Sequence, residues 1–332
     1  MFENLDTKCN SESPVTEMSF FNAGFSFLAS CIAVPLNILI LVSIIKMYHL
    51  FHRTFYLNIA NIALADLMSA ILVNILSINF HLKEGLQSPI SRLEITSMHY
   101  LFFMTNSVSV LSMAFLSIDR LGVLLNPFYF YRHMTRSRTI AVLILTWLIS
   151  GGLSVIYFKV GYLRYLVVFS LTTVSMTMVI MIATMVLFKR RLAESERADA
   201  SRQSPTPRGS IDVGVPQGKH KTTLHNFTKM DKRVTTTFLW MLVLFIVNYL
   251  PCLVITAYLN LCKTCSCSFV HTMRDVIFLF ILGSGVFRAI NFIARLTLLR
   301  ETVKALVFCH KRSQPEGFEF GKVGIWLLFI NN

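Results

Sequence analysis

Asp66, Asp119, Arg120 and Arg288 are ionisable residues that lie within long apolar runs of this chain. A charge held in hydrocarbon is costly, so each needs a partner, a wet cavity or a task. Two of them, Asp66 and Arg288, would line a substrate path if the chain were a transporter, although no internal repeat or pair of broken helices accompanies them. A second chemistry belongs to the cysteines, of which there are seven. Cys31 and Cys252 sit inside apolar runs and read as packing residues. Cys9, Cys262, Cys265 and Cys267 lie outside them and can form two disulfides in three pairings. Alternatively, the last three and His271 can hold a zinc ion. No nucleophile with a base, and no other ligand set, falls on one face, so the chain is not expected to be an enzyme, and neither a cofactor nor a metal is expected.

The elements that position these groups follow from composition. The chain is 54% apolar and 14% charged, with mean hydropathy +0.60. That is too few charges for a water-exposed domain of this size. Seven apolar stretches are each long enough to span a bilayer: about Phe20–Met47, Phe55–His81, Arg92–Leu125, Thr139–Phe158, Gly161–Leu187, Val234–Leu259 and Val270–Arg295. The fold class is therefore an all-α membrane protein, a seven-transmembrane helix bundle. The formal charge of +14 is spread between the apolar runs, which points to membrane topology and away from nucleic acid. Basic residues collect at His49–Arg53, at Arg132, Arg136 and Arg138, and along Lys189–Arg233, so those loops face the cytoplasm and the N-terminus lies outside. The first twenty residues show no basic stretch followed by an apolar one, so no cleaved signal peptide is expected.

This reading divides the chain into an extracellular segment 1–19, a transmembrane domain 20–296 with a disordered cytoplasmic loop 189–233, and a cytoplasmic end 297–332. The only Asn-x-Ser/Thr site, Asn226–Thr228, falls in that cytoplasmic loop. Leu298–Cys309 alternates apolar and basic residues and reads as a short amphipathic helix on the inner membrane surface. Cys309 at its end is a lipidation candidate, or an ordinary reduced thiol. The apolar tail Gly324–Ile330 is too short to span.

Several motifs fall in order along these spans: Asn37 in Pro35-Leu36-Asn37, Asn61–Asp66 in span two, Ser117-Ile118-Asp119-Arg120-Leu121 at the end of span three, Trp147 in span four, and Phe245-Ile246-Val247-Asn248-Tyr249-Leu250-Pro251 in span six. Together they resemble the rhodopsin-like G protein-coupled receptors over roughly residues 23 to 309. Within that family the chain is most similar to the melanocortin, adenosine and lipid-receptor branch. Span seven departs from the family's Asn-Pro-x-x-Tyr, and two registers are open. One reads Asn291–Arg295. The preferred one reads Arg288–Phe292 and places Ser284 at a pocket position.

The resemblance implies a plasma-membrane receptor that passes the binding of an outer ligand to a heterotrimeric G protein, with membrane lipids around it. Its switch residues would be Asp119, Arg120, Asp231, Phe245, Tyr249, Pro251 and Phe292, with Arg120 closing on Asp231 in the inactive state. Asn37, Asp66, Ser109, Ser284 and Arg288 would form a buried polar pocket where the family holds sodium, and Arg288 against Asp66 would replace that ion. His99, Phe102, Phe103, Asn106, Tyr249, Cys252, Leu253, Thr256, Arg274 and Phe278 would line an apolar ligand chamber, with His99 and Arg274 at its rim suited to a carboxylate. The same branch suggests the disulfides Cys9–Cys267 and Cys262–Cys265. The altered switch residues leave a signalling-impaired decoy as the alternative.

Overall fold

The computed structural model describes residues 16–47, 54–202, 218–262 and 264–307. Among the described residues every regular element is helical, and seven helices are long and apolar enough to cross a membrane. They are span one (Thr16–Lys46), two (Thr54–Gly85), three (Arg92–Leu125), four (Arg136–Val160), five (Tyr162–Arg191), six (Thr236–Leu261) and seven (Cys267–Arg295). Helices are the natural solution because lipid offers no hydrogen bonds to an open backbone. The spans pack as a closed bundle, one on two, two on three, three on four, five on three and six, six on seven, and seven back on one. Span three is the central pillar: 72% of its most apolar window is buried, against 28% for span four.

Polar side chains inside the spans mostly turn back on their own helix. Asn37, Asn58, Asn106, Asn248 and Asn260 each donate to the carbonyl four residues earlier, at 2.7–3.2 Å. Such bonds satisfy the amide locally, so an asparagine in an apolar run need not imply a site. Span two passes through a π-helical turn at Ser69–Val73 and span five through another at Ser170–Val174, each of which shifts the side-chain phase beyond it. Span six contains Pro251, which cannot bond the carbonyl of Val247 and so weakens the helix there.

The ends of the spans refine the sequence reading. Spans four and five are separate and turn at Gly161, whose φ of 80° suits glycine. Span one starts at Thr16 and span two runs to Gly85, because a polar turn at each outer end continues the helix beyond the apolar run. The loop expected as disordered from 189 to 233 is helical at both flanks: the helix of span five continues to Arg202, and that of span six begins at Gly218. Charged, unbranched residues there have good helix propensity once a span has nucleated the helix.

Two short helices follow spans three and seven, at the end of the bundle that the basic residues assign to the inner side. Pro127–His133 follows span three, capped by the Asn126 side chain on the Tyr129 amide at 3.1 Å. Thr297–Val307 follows span seven and buries Leu299, Thr302 and Val303 against the bundle while exposing Glu301 and Lys304. A hydrogen bond from Lys304 holds the Glu301 carboxyl below its ordinary range.

Candidate functional site

The centre of the bundle is an ion pair. Arg288 Nε donates to Asp66 Oδ2 at 3.0 Å and Nη2 to Oδ1 at 2.7 Å. This two-pronged geometry is the strongest way to join guanidinium and carboxylate. Both side chains are buried, at 7% and 3% exposure. Ser109 on span three donates to Asp66 Oδ1 at 2.7 Å. The remaining guanidinium nitrogen, Nη1, donates to Ser284 Oγ at 2.8 Å and Tyr249 Oη at 3.3 Å. One cation thus ties together spans two, six and seven, with span three joined through the carboxylate.

The fifth residue expected here, Asn37, does not join the cluster, because its amide donates to the Ala33 carbonyl at 2.9 Å. Asp66 already accepts three hydrogen bonds, and the local carbonyl competes for the amide. With a guanidinium in contact with the carboxylate, these residues do not fit a bound sodium ion.

Toward the Asp119–Arg120 end of the bundle, Tyr249 stacks on Phe245 with ring centres 4.6 Å apart. Beneath them a space of about 10 Å³, bounded by Met113, Met241, Phe245, Arg288 and Phe292, is about large enough for one water. At the inner end of span three, Arg120 Nε donates to its neighbour Asp119 at 2.9 Å, and the Arg120 guanidinium lies 4.4 Å over the Phe55 ring. Asp119 is fully buried, and its Oδ1 has no hydrogen-bond partner among the described residues. The side chain of Asp231 lies outside the described residues, so the Arg120–Asp231 contact does too.

At the outer end the expected carboxylate-accepting rim is not formed. Arg274 donates from Nη2 to Glu84 Oε1 at 3.0 Å and from Nε to Asp275 Oδ1 at 2.8 Å. His99 pairs with the Tyr157 hydroxyl at 2.8 Å. Two internal carboxylates have already taken the positive charge that an outside carboxylate would need. Glu84 also accepts from Ser19 at 2.9 Å and lies 3.2 Å from His81 Nδ1. His81, Glu84 and Asp275 bring donor atoms within 4.8 Å of one another, but Arg274 already engages both carboxylates.

Below this cluster the expected ligand chamber is filled by its own rings. Phe102 stacks on Phe278 at 4.6 Å, and Phe103 meets Tyr165 edge-on at 4.6 Å and Tyr162 at 5.6 Å. Asn106, Cys252 and Thr256 are buried there, and Leu253 is half-buried. The Tyr162 hydroxyl and Thr256 Oγ1 are buried without hydrogen-bond partners among the described residues.

Sequence reasoning missed two groups. Glu84 and Asp275 flank the polar span ends; in the sequence Glu84 lies one turn after His81 and Asp275 next to Arg274, which does not set them apart from the ordinary charges of span ends. Trp147, a motif residue with no role assigned from sequence, donates to Asn61 Oδ1 at 2.9 Å, and Asn61 Nδ2 donates to Ser112 Oγ at 2.8 Å, linking spans four, two and three.

Cys262 and Cys265 form a disulfide. Cys267 is disulfide-bonded as well, which rules out the three-thiolate zinc alternative. Cys9 and Cys309, with the pairing and lipidation expected of them, lie outside the described residues.

With this geometry in place, residues 36–162 match the family model of the 7 transmembrane receptor (rhodopsin family). The match runs from Leu36 in span one to the first residue of span five, and so includes Asp66 and the Asp119–Arg120 pair. It supports a receptor of the rhodopsin family. No curated protein matches the chain.

Proposed function

We propose that this chain is a cell-surface G protein-coupled receptor of the rhodopsin-like class, with its N-terminus outside and a heterotrimeric G protein as its inner partner. The observation that carries the reading is the family match over the first four spans, on a seven-helix bundle with a buried Asp119 paired to a half-buried Arg120 at the inner end of span three. In this reading an outer ligand favours a conformation in which the inner half of span six swings about Pro251, releasing Arg120 toward the G protein. Asp231 closes the inactive state, and Phe245, Tyr249 and Phe292 repack during the change.

The ligand is proposed to be a lipid or another largely apolar molecule. It displaces the Phe102–Phe278 stack and meets the unpartnered hydroxyls of Tyr162 and Thr256. The carboxylate-at-the-rim form of this preference is given up, since Arg274 is already paired. Within the family, the melanocortin, adenosine and lipid-receptor branch remains the proposed neighbourhood.

Membranes carrying the chain should accelerate guanine-nucleotide exchange on purified G proteins, most clearly with an Asp231→Ala variant that opens the inner gate. Failure of all G-protein classes to respond, with the protein folded at the surface, would leave the decoy reading. Substrate uptake into the same vesicles would favour a transporter.

A further inference from the structure

We propose that an anionic phospholipid binds in a groove between the inner-loop helix Pro127–His133 and the foot of span four. The groove holds about 550 Å³, and Phe130, Met134, Ala141 and Val142 form its apolar walls. Its rim is polar. Tyr129 and His133 stack at 3.9 Å, and His133 Nδ1 donates to the Tyr129 carbonyl at 2.9 Å. Arg138 Nη1 donates to the His133 carbonyl at 2.7 Å. That bond fixes the guanidinium at the rim and uses one of its five N–H groups.

Charge selects the occupant. Arg138 is exposed and has no acidic partner among the described residues. Arg132, in the helix before it, is exposed as well and has no acidic partner among the described residues, and the sequence holds no Asp or Glu between Arg120 and Ala193. Arg132 and Arg138 are therefore without an acidic neighbour among the described residues, and a phosphate-bearing headgroup at the membrane surface would balance their charge.

Shape selects a lipid over a soluble anion. Above the groove, Ala141, Leu145 and Leu148 recur at helical spacing on an exposed face, Leu145 at 52% and Leu148 at 67% exposure. This continuous apolar track starts where the headgroup would sit and runs toward the bilayer centre, as an acyl chain must. The inference requires only that the seven spans lie in a membrane. It stands or falls independently of coupling to a G protein.

The test uses the full chain in vesicles of phosphatidylcholine doped with a photoactivatable phosphatidylserine or, in parallel, a photoactivatable phosphatidylcholine, with labelled peptides identified by mass spectrometry. The anionic probe should label the peptide spanning Tyr129–Val142 more strongly than the zwitterionic one. Arg138→Ala should cut that labelling roughly tenfold, the scale of one charge-assisted hydrogen bond, and Arg138→Lys should restore part of it. Ala141→Trp, which fills the groove, should also reduce it. Labelling of the basic surface helix around Lys304 provides an internal control in every variant and should not change. Equal labelling by the two probes, or no effect of Arg138→Ala, would overturn the proposal. If labelling is equal while Arg138→Ala abolishes nucleotide exchange, the groove belongs to a protein partner instead.

Discussion

At the scale of single residues, the Asp66–Arg288 pair shows how a buried charge is held in place. Together the two are neutral and well hydrogen-bonded; apart, each is an uncompensated charge deep in the bundle. Asp66→Asn and Arg288→Ala should each destabilise the protein by ~3–5 kcal/mol, the usual cost of breaking a buried pair from one side. Asp66→Asn combined with Arg288→Ala should recover part of that loss, which thermal unfolding in detergent and surface-expression counts can both register. A strictly additive double variant would mean that the two residues act independently. The outer cluster makes a related prediction with a different partner count. Glu84→Gln keeps the shape but removes the charge that Arg274 shares between Glu84 and Asp275. The thermal midpoint should fall, and Arg274→Met added to it should lessen the fall. A midpoint unchanged by Glu84→Gln would show that Asp275 alone suffices for Arg274.

At the scale of elements, the spans were legible because lipid imposes one rule on every residue of a crossing segment. Asp66 and Arg288 were legible for the same reason, as mid-membrane charges of opposite sign. Glu84 and Asp275 were not, since they sit at the span ends, where charge carries no surprise and hydropathy gives no phase. The π-helical turn at Ser69–Val73 adds to this, because the face on which Ser77, His81 and Glu84 fall cannot be extended from Asp66 by regular helical spacing. Asn37 misled for a further reason: its motif position implied a shared site, and its own helix offered a nearer acceptor. The inner-loop helix supplies a prediction of its own. A side chain added at Gly122 would run into the Phe130 ring, so the helix Pro127–His133 rests on span three through the absence of a side chain there. Gly122→Val should displace this helix and lower thermal stability. Phe130→Ala in the same chain should relieve the clash and restore part of the loss. Equal stability of Gly122→Val and the unaltered chain would show that the ring simply rotates away.

At the scale of the whole molecule, orientation rests on where basic residues collect. A tag at the N-terminus should be reached by antibody on intact cells, and a tag within Ser201–Ser210 only after permeabilisation. The reverse pattern would invert the bundle, moving the lipid groove to the other leaflet and removing the inner surface from any G protein.

The guanidinium at the centre has a further consequence, which concerns mass action. A dissociable ion stabilises the state that binds it by an amount that grows with the logarithm of its concentration above its dissociation constant. A cation attached to the backbone has no such concentration term. Its local supply is set by the fold, and it can be rearranged but never lost to solution. Thermal stability should therefore be the same in sodium and in choline at fixed ionic strength, and a selective rise in sodium would mean that a second cation site exists. A bundle wired this way would hold the same balance between its conformations in a salty exterior and a dilute one, so its set point would be written in the sequence and not in the medium.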